Sequence, residues 1–450
     1  MFSRQRRPRW AGRAAGGGSQ SAHGVVGEAA RGAHGPPGAP EPRTKRNCAH
    51  DPSARVSWLY VRHGLPCPCA RLAAHRPLLT VLRRAPLFIS FLPSAIPPAL
   101  SHLIFLGTYT KNGSRGIYSV RLDGTTGALS EPTLVAETPD PAWITLSPDR
   151  RFLYALHPSA AQAIGYTVDP STPALTPLPV AAPPPPPAQP PSHLAVDATG
   201  RTLLAANYRE GFVAAIPLRP DGTLGPATKI QHSGHGPDPK RQDAPHAHSV
   251  TVSPDNRHVI VCDLGLDKIF AYALDPASAR LSPAAAPFVA TAPGAGPRHF
   301  KFGPDGRFAY ALTEMGGTLE AFTYTAATGA LTPLQTISCL PPDFTGLKWG
   351  AEVRVHPNGR FLYTSNRTHD SLTVFALAPD TGRLTPVELV PCGGQNPRNF
   401  ALSPDGRWLV CAHQDSPDLT VFRVDPSTGR LALTPHTAPV PHCVCVLFYG

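Results

Sequence analysis

Between residues 101 and 450 one hairpin recurs, which confines the chain to architectures that stack or ring similar units. The hairpin is a short strand, a turn of the S-P-D-G-R type and a second strand. It reads ITLSPDRRFLYAL from Ile144, LAVDATGRTLLAA from Leu194, VTVSPDNRHVIVC from Val250, FKFGPDGRFAYAL from Phe300, VRVHPNGRFLYTS from Val353 and FALSPDGRWLVCA from Phe400. Pro, Asp, Asn and Gly supply the reversal, and the flanks are apolar, β-branched or aromatic. A second hairpin, an apolar strand followed by D-x-x-T-G-x-L or a degraded form of it, ends at Leu129, Leu175, Leu224, Leu281, Leu331, Leu384 and Leu431. Seven copies with about four short strands each match the content of seven propeller blades.

The ends of this region fit a closed ring. It starts with three strands, HLIFLGTYT, GIYSVRL and PTLVAET, and ends with a lone strand at Val440–Tyr449. The last strand is expected to complete the first blade and remove the open edges of an unclosed array. The predicted fold is therefore all-β: a seven-bladed β-propeller over 101–450, closed by its C-terminal strand. The run Ala181–Pro191, AAPPPPPAQPP, reads as a stiff polyproline connection.

Residues 1–100 read differently. They hold 15 of the 41 Lys and Arg and 3 of the 30 Asp and Glu, leaving 26 basic and 27 acidic residues in the repeat region. The net charge of +11 thus belongs to the extension, and it does not argue for nucleic-acid binding by the folded part. The extension is low in complexity, lacks a sustained apolar period and reads as disordered. Its run Pro77–Leu100 is interrupted by Arg83, Arg84 and prolines, so no membrane span is expected. The Arg-rich, acid-poor composition is also that of an organelle transit peptide. The nine cysteines show no framework spacing; C-P-C at Cys67 and Cys69 is too tight for a zinc knuckle. Free thiols and a reducing compartment, the cytoplasm, are expected.

In a propeller the first strand of each blade lines the channel and runs antiparallel to the second. The start of the first and the end of the second therefore share one mouth. Aligned on the turn, the first strands start at Ala142, Ser192, His248, Arg298, Ala351, Arg398 and, in the last copy, His442. The second strands end at His157, Asn207, Asp263, Thr313, Asn366 and His413, followed by Pro158, Tyr208, Leu264, Glu314, Arg367 and Gln414. One mouth thus gathers His248, Arg298, Arg398, Arg367, Glu314, Asn207 and Asn366. Polar residues at loop ends often only face water, but three Arg, a His and a Glu at equivalent blade ends suggest a ligand site. Several Arg clamp a carboxylate or phosphate, and His248 and Glu314 can exchange protons. The sequence has no G-x-S-x-G elbow, H-E-x-x-H pair or P-loop, and no metal-ligand spacing. The expected ligand is a small anion undergoing acid–base chemistry, with no metal or cofactor.

At these residues the chain resembles the seven-bladed propeller lactonases, which include propeller 6-phosphogluconolactonases and carboxymuconate lactonizing enzymes. The resemblance rests on LGTYT-x5-GIY (106–118), HSVTVSPDNR (248–257), GAGPRHFKFGPDGRFAYALTE (294–314), LPPDFTGLKWGAEVRVHPNGRFLYTSNRTHDSLTVF (340–375) and NPRNFALSPDGR (396–407). It implies a catalytic set of His248, Arg298, Glu314 and Arg367, with Asn207, Asn366 and Arg398 as further substrate-binding candidates. The D-F-T-x3-W-G-A-E stretch looks more like the gluconolactonase branch. The first function implied is hydrolysis of 6-phosphogluconolactone to 6-phosphogluconate, a step of the pentose phosphate pathway, with water activated by Glu314 or His248. The alternatives are a carboxymuconate lactonizing enzyme and a non-catalytic binding propeller, though W-D and G-H dipeptides do not recur as they do in scaffold propellers. The partner expected is a small anionic lactone, with no nucleic acid or membrane, bound by a monomer or weak oligomer.

A chain beginning at Ser101 is expected to melt within a few degrees of the full chain in a thermal denaturation. Loss of soluble protein on this truncation would show that the extension takes part in folding.

Overall fold

The computed structural model describes residues 101–110, 113–157, 162–179 and 191–450. The expectations for residues 1–100 and for the polyproline run up to Pro190 lie outside the described residues.

The S-x-D-x-R turns form because their side chains replace missing backbone partners. Ser147, Ser253 and Ser403 Oγ accept from the N–H of Phe152, His258 and Trp408, at 3.0, 2.9 and 3.0 Å. Asp149, Asp255, Asp305 and Asp405 accept from the N–H of the Arg two residues on. Each turn thereby fixes the register of an inner and a second strand.

These hairpins extend into seven four-stranded antiparallel sheets among the described residues. The inner strands are Ile144–Leu146, His193–Val196, Ala247–Val252, Pro297–Phe302, Gly350–Val355, Pro397–Leu402 and Cys443–Phe448. Each packs on the inner strands of both neighbouring blades, so the ring is closed around an axis. The closing strand pairs with Ser101–Thr108, placing Phe448, Leu447 and Val446 opposite Ile104, Phe105 and Leu106. The first blade is therefore ordered Cys443–Phe448, Ser101–Thr108, Gly116–Asp123, Thr133–Glu137, as the sequence predicts.

Second strands such as Phe308–Thr313 and Phe361–Asn366 are buried along their whole length, because a blade is covered on both faces. Blade adhesion has a repeating device. In five blades a glycine of the second hairpin's turn lies against the aromatic that opens the second strand of the preceding blade. The pairs are Gly222 on Phe152, Gly329 on His258, Gly382 on Phe308, Gly429 on Phe361 and, across the closure, Gly127 on Trp408. Polar groups reinforce the joint. Tyr154, Tyr310 and Tyr363 hydroxyls donate to the carbonyls of Gly222, Gly382 and Gly429 at 3.1, 3.1 and 2.9 Å, and Trp408 Nε1 donates to Gly124 at 3.0 Å. The D-x-x-T-G-x-L signature thus records a contact between blades as well as a turn.

At Gly382 the backbone is left-handed, with φ of 68°, and a Cβ would fall inside the Phe308 ring. Gly200 has φ of 70°, but a Cβ there would make ordinary contact with Pro148. Gly382→Ala should therefore lose about 2–4 kcal/mol, from left-handed strain plus overpacking, and Gly200→Ala about 1 kcal/mol from strain alone. Denaturant titration of the two variants checks this ordering.

Candidate active site

The mouth residues owe their direction to a defect in strand pairing. Ala247 pairs with Asp263 and Ser249 with Cys262, so His248 is left over. Arg298 is skipped between Pro297 and His299, and Arg398 between Pro397 and Asn399. A β-bulge of this kind bends the strand and re-aims the extra residue, and His248, Arg298 and Arg398 all line one cavity of about 450 Å3 at the mouth. In the first blade the equivalent position, between Cys443 and Cys445, is Val444. The sequence alignment puts His442 there. No S-P-D-G-R turn follows the last strand, so nothing local sets its register, and His442 instead hydrogen-bonds the Gln414 carbonyl at 2.7 Å.

Five arginines line the cavity, Arg209, Arg241, Arg298, Arg367 and Arg398, against two carboxylates, Asp140 and Glu314. Glu314 follows the second strand of the fifth blade, where its N–H donates to the Gly296 carbonyl at 2.7 Å. Its Oε2 takes Arg298 Nε at 2.9 Å and Arg367 Nη2 at 2.7 Å, and its Oε1 takes Arg241 Nη2. Burial alone would raise the Glu314 pKa, but Arg367 and Arg298 outweigh it and hold the carboxyl far below its usual range. Burial and the neighbouring Arg398 and Arg367 push Arg298 down to about 9, still protonated at neutral pH. Glu314 is thus held ionised, with ion pairs on both of its oxygens.

His248 differs. It is buried, and among the described residues its Nδ1 has no hydrogen-bond partner. Burial, with Arg298 and His299 nearby, lowers its pKa well below the ordinary value, so the imidazole is neutral at pH 7. Its ring meets Tyr208 and His299 edge-on, at centroid separations of 5.5 and 5.4 Å.

The next residue along the inner strands forms a second layer, including Trp143, His193, Ser249, His299, Glu352 and Asn399. His299 Nε2 lies 3.0 Å from Arg298 Nη1. Its Nδ1 lies 3.3 Å from Glu352 Oε2, out of line for a hydrogen bond. Glu352 is fully buried, accepts from Asn399 Nδ2 and faces Arg354 Nε at 3.5 Å. Lys301, on the same strand as His299, is pushed down to about 8 by burial and by Arg354.

The structure thus brings His248, Arg298, Glu314, Arg367 and Arg398 into one cavity, and it leaves Asn207 and Asn366 out of the lining. Those two amides serve the turns after their strands. Asn207 Oδ1 accepts from Glu210 N–H at 2.9 Å, and Asn366 Nδ2 donates to Cys339 O, Ser371 Oγ and Thr373 Oγ1. Sequence reasoning missed His299 and Glu352, which lie one position beyond the aligned column. It also missed Arg241, which stands on the long connection between the third and fourth blades, outside any repeat. Among the described residues, no three His, Cys, Asp or Glu side chains converge as a metal-ligand set, and no helix is long and apolar enough to cross a membrane.

The chain is a closed seven-bladed ring whose mouth carries five arginines against two carboxylates. Residues 103–448 match the family described as lactonase, seven-bladed β-propeller, and the chain belongs to that family. It is 37% identical over 347 residues to the 6-phosphogluconolactonase of Bacillus subtilis, covering 76% of this chain and 97% of that protein. It is similar in structure to the periplasmic gluconolactonase of Pseudomonas aeruginosa, with 34% identity and a TM-score of 0.71, over 77% of this chain and 99% of that one. A protein from Lactobacillus plantarum gives 33% identity and a TM-score of 0.72, over 78% and 99% of the two chains.

Glu314→Gln should leave the buried Arg298 and Arg367 without their shared counter-charge and lower stability by about 3 kcal/mol or more. Asp305→Asn, in an exposed turn with Arg307, should cost less than about 1 kcal/mol. Thermal or denaturant unfolding of both variants reads the difference.

Proposed function

We propose that this protein hydrolyses 6-phosphogluconolactone to 6-phosphogluconate. The observation that carries the reading is the pairing, in one cavity, of a neutral buried His248 with arginines whose charge exceeds what Glu314 neutralises. The names of the relatives support the substrate.

Ester hydrolysis requires charge stabilisation at the carbonyl oxygen and a base for water. Arg298 and Arg367, fixed on Glu314, stabilise the oxyanion as water adds to C1. His248 takes the proton from that water. The C1–ring oxygen bond then breaks, and His248 returns the proton to the departing alkoxide, which becomes the C5 hydroxyl. The products are a carboxylic acid, which loses its remaining proton to solvent to become the carboxylate, and a neutral imidazole. Glu314 keeps two guanidiniums side by side throughout. The same cationic mouth would admit a tricarboxylate, so carboxymuconate is the control substrate.

The propeller, 101–450, carries the activity by itself, as a monomer or weak oligomer. The described cysteines, Cys262, Cys339, Cys392, Cys411, Cys443 and Cys445, are free and buried, which suits the reducing cytoplasm.

His248→Asn should reduce kcat/KM on 6-phosphogluconolactone by about a hundredfold or more, measured above spontaneous hydrolysis. The acid limb of the kcat/KM profile should have its midpoint below the ordinary histidine value of 6.5, because the base stays deprotonated until its lowered pKa is reached. Turnover by the variant at nearly the parent rate would refute the assignment of His248.

A further inference from the structure

Arg298 and Arg367 are committed to Glu314 and lie deep, with side chains 3% and 8% exposed. Arg241 meets the opposite oxygen of the same carboxylate but is 31% exposed. Its hydrogen bonds, to Glu314 and to Tyr208 Oη at 3.5 Å, both use Nη2. Among the described residues, Nε and Nη1 have no hydrogen-bond partner, and the residue lines the cavity.

The connection that presents Arg241 is pinned. The neighbouring Gln242 is fully buried and donates to Leu264 O and Asp267 Oδ1, both at 2.8 Å. Asp267 also accepts from the N–H groups of Gly294 and Gly296, at 2.7 and 2.8 Å, which ties the connection to the strand bearing Arg298. Trp349 packs beneath two of the guanidiniums, 5.2 Å from Arg367 and 5.9 Å from Arg241. Arg209 is exposed, lines the cavity and makes no ion pair among the described residues. Arg398 lines it too, held by Gln414 at 3.3 Å and over the Tyr109 ring.

The cavity therefore holds two kinds of cation: Arg298 and Arg367, buried and paired with Glu314, and the more exposed Arg209, Arg241 and Arg398. We propose that Arg241, with Arg209 and Arg398, forms a phosphate subsite that selects phosphorylated over unphosphorylated aldonolactones. This assignment rests on the lactonase reading and adds the determinant of substrate class. The open edge of Arg241 takes two phosphate oxygens while Nη2 stays on Glu314, so the deep pair keeps its geometry when substrate arrives.

The test is calorimetric titration of the full chain and of Arg241→Gln with 6-phosphogluconate and with gluconate. The parent should prefer the phosphorylated acid, and the variant should lose about ten- to hundredfold in affinity for it, the worth of a charge-assisted hydrogen bond. Gluconate affinity should change less than about threefold. Arg209→Gln, which leaves the Glu314 ion pairs intact, should show a smaller loss with the same selectivity. Equal weakening of both ligands would mean that Arg241 only supports Glu314 and would overturn the subsite, as would no weakening of either. A parent that prefers 6-phosphogluconate but turns over no lactone would sink the hydrolytic reading and leave the subsite standing.

Discussion

The mouth of this propeller depends on one carboxylate. Two guanidiniums about 6 Å apart repel by about 3 kcal/mol at the effective dielectric of a protein site, so a buried cluster of them needs an opposite charge at its centre. Glu314 supplies it to side chains from two further elements besides its own blade: Arg298 from the same blade, Arg367 from the next and Arg241 from the connection between the third and fourth blades. A group so placed is poorly suited to accept a proton. In the proposed hydrolysis the division of labour follows from electrostatics, with the carboxylate organising cations and the neighbouring His248 imidazole, whose Nδ1 has no partner among the described residues, acting as the base.

Bulges explain how a repeating fold carries a site that does not repeat. In a regular strand the side chains at 248, 298 and 398 would each point to one face of their own blade. One skipped residue per strand turns each toward the axis. The same position in the first blade holds Val444, an apolar residue where three other blades place a His or Arg. The ring thus fixes where functional residues can stand, and composition at those positions decides which sectors are cationic, neutral or apolar.

The fold was legible because its signals are local. A Ser and an Asp flanking a Pro or Gly turn announce a hairpin whatever lies elsewhere, and a turn glycine marks five of the blade joints. Most of the site was legible by extension, since aligned turns place His248, Arg298, Glu314, Arg367 and Arg398 at one end. The rest failed for identifiable reasons. Asn207 and Asn366 occupy the right end, but their amides serve the following turns. His442 stands two residues from its apparent column because no turn anchors the last strand. Arg241 belongs to no repeat, and only three-dimensional closure reveals that its connection folds over Glu314.

The strand at 443–448 also has a meaning in time. The edge at Ile104–Thr108 is among the first parts of the propeller to be synthesised, and its partner is the last. At about 5–20 residues per second the interval between them is on the order of tens of seconds. During that interval the first blade presents unpaired backbone groups to any other extended chain. Nascent chains on neighbouring ribosomes would then compete for the edge until each ring shuts, so the ring's weakest moment comes before it is complete.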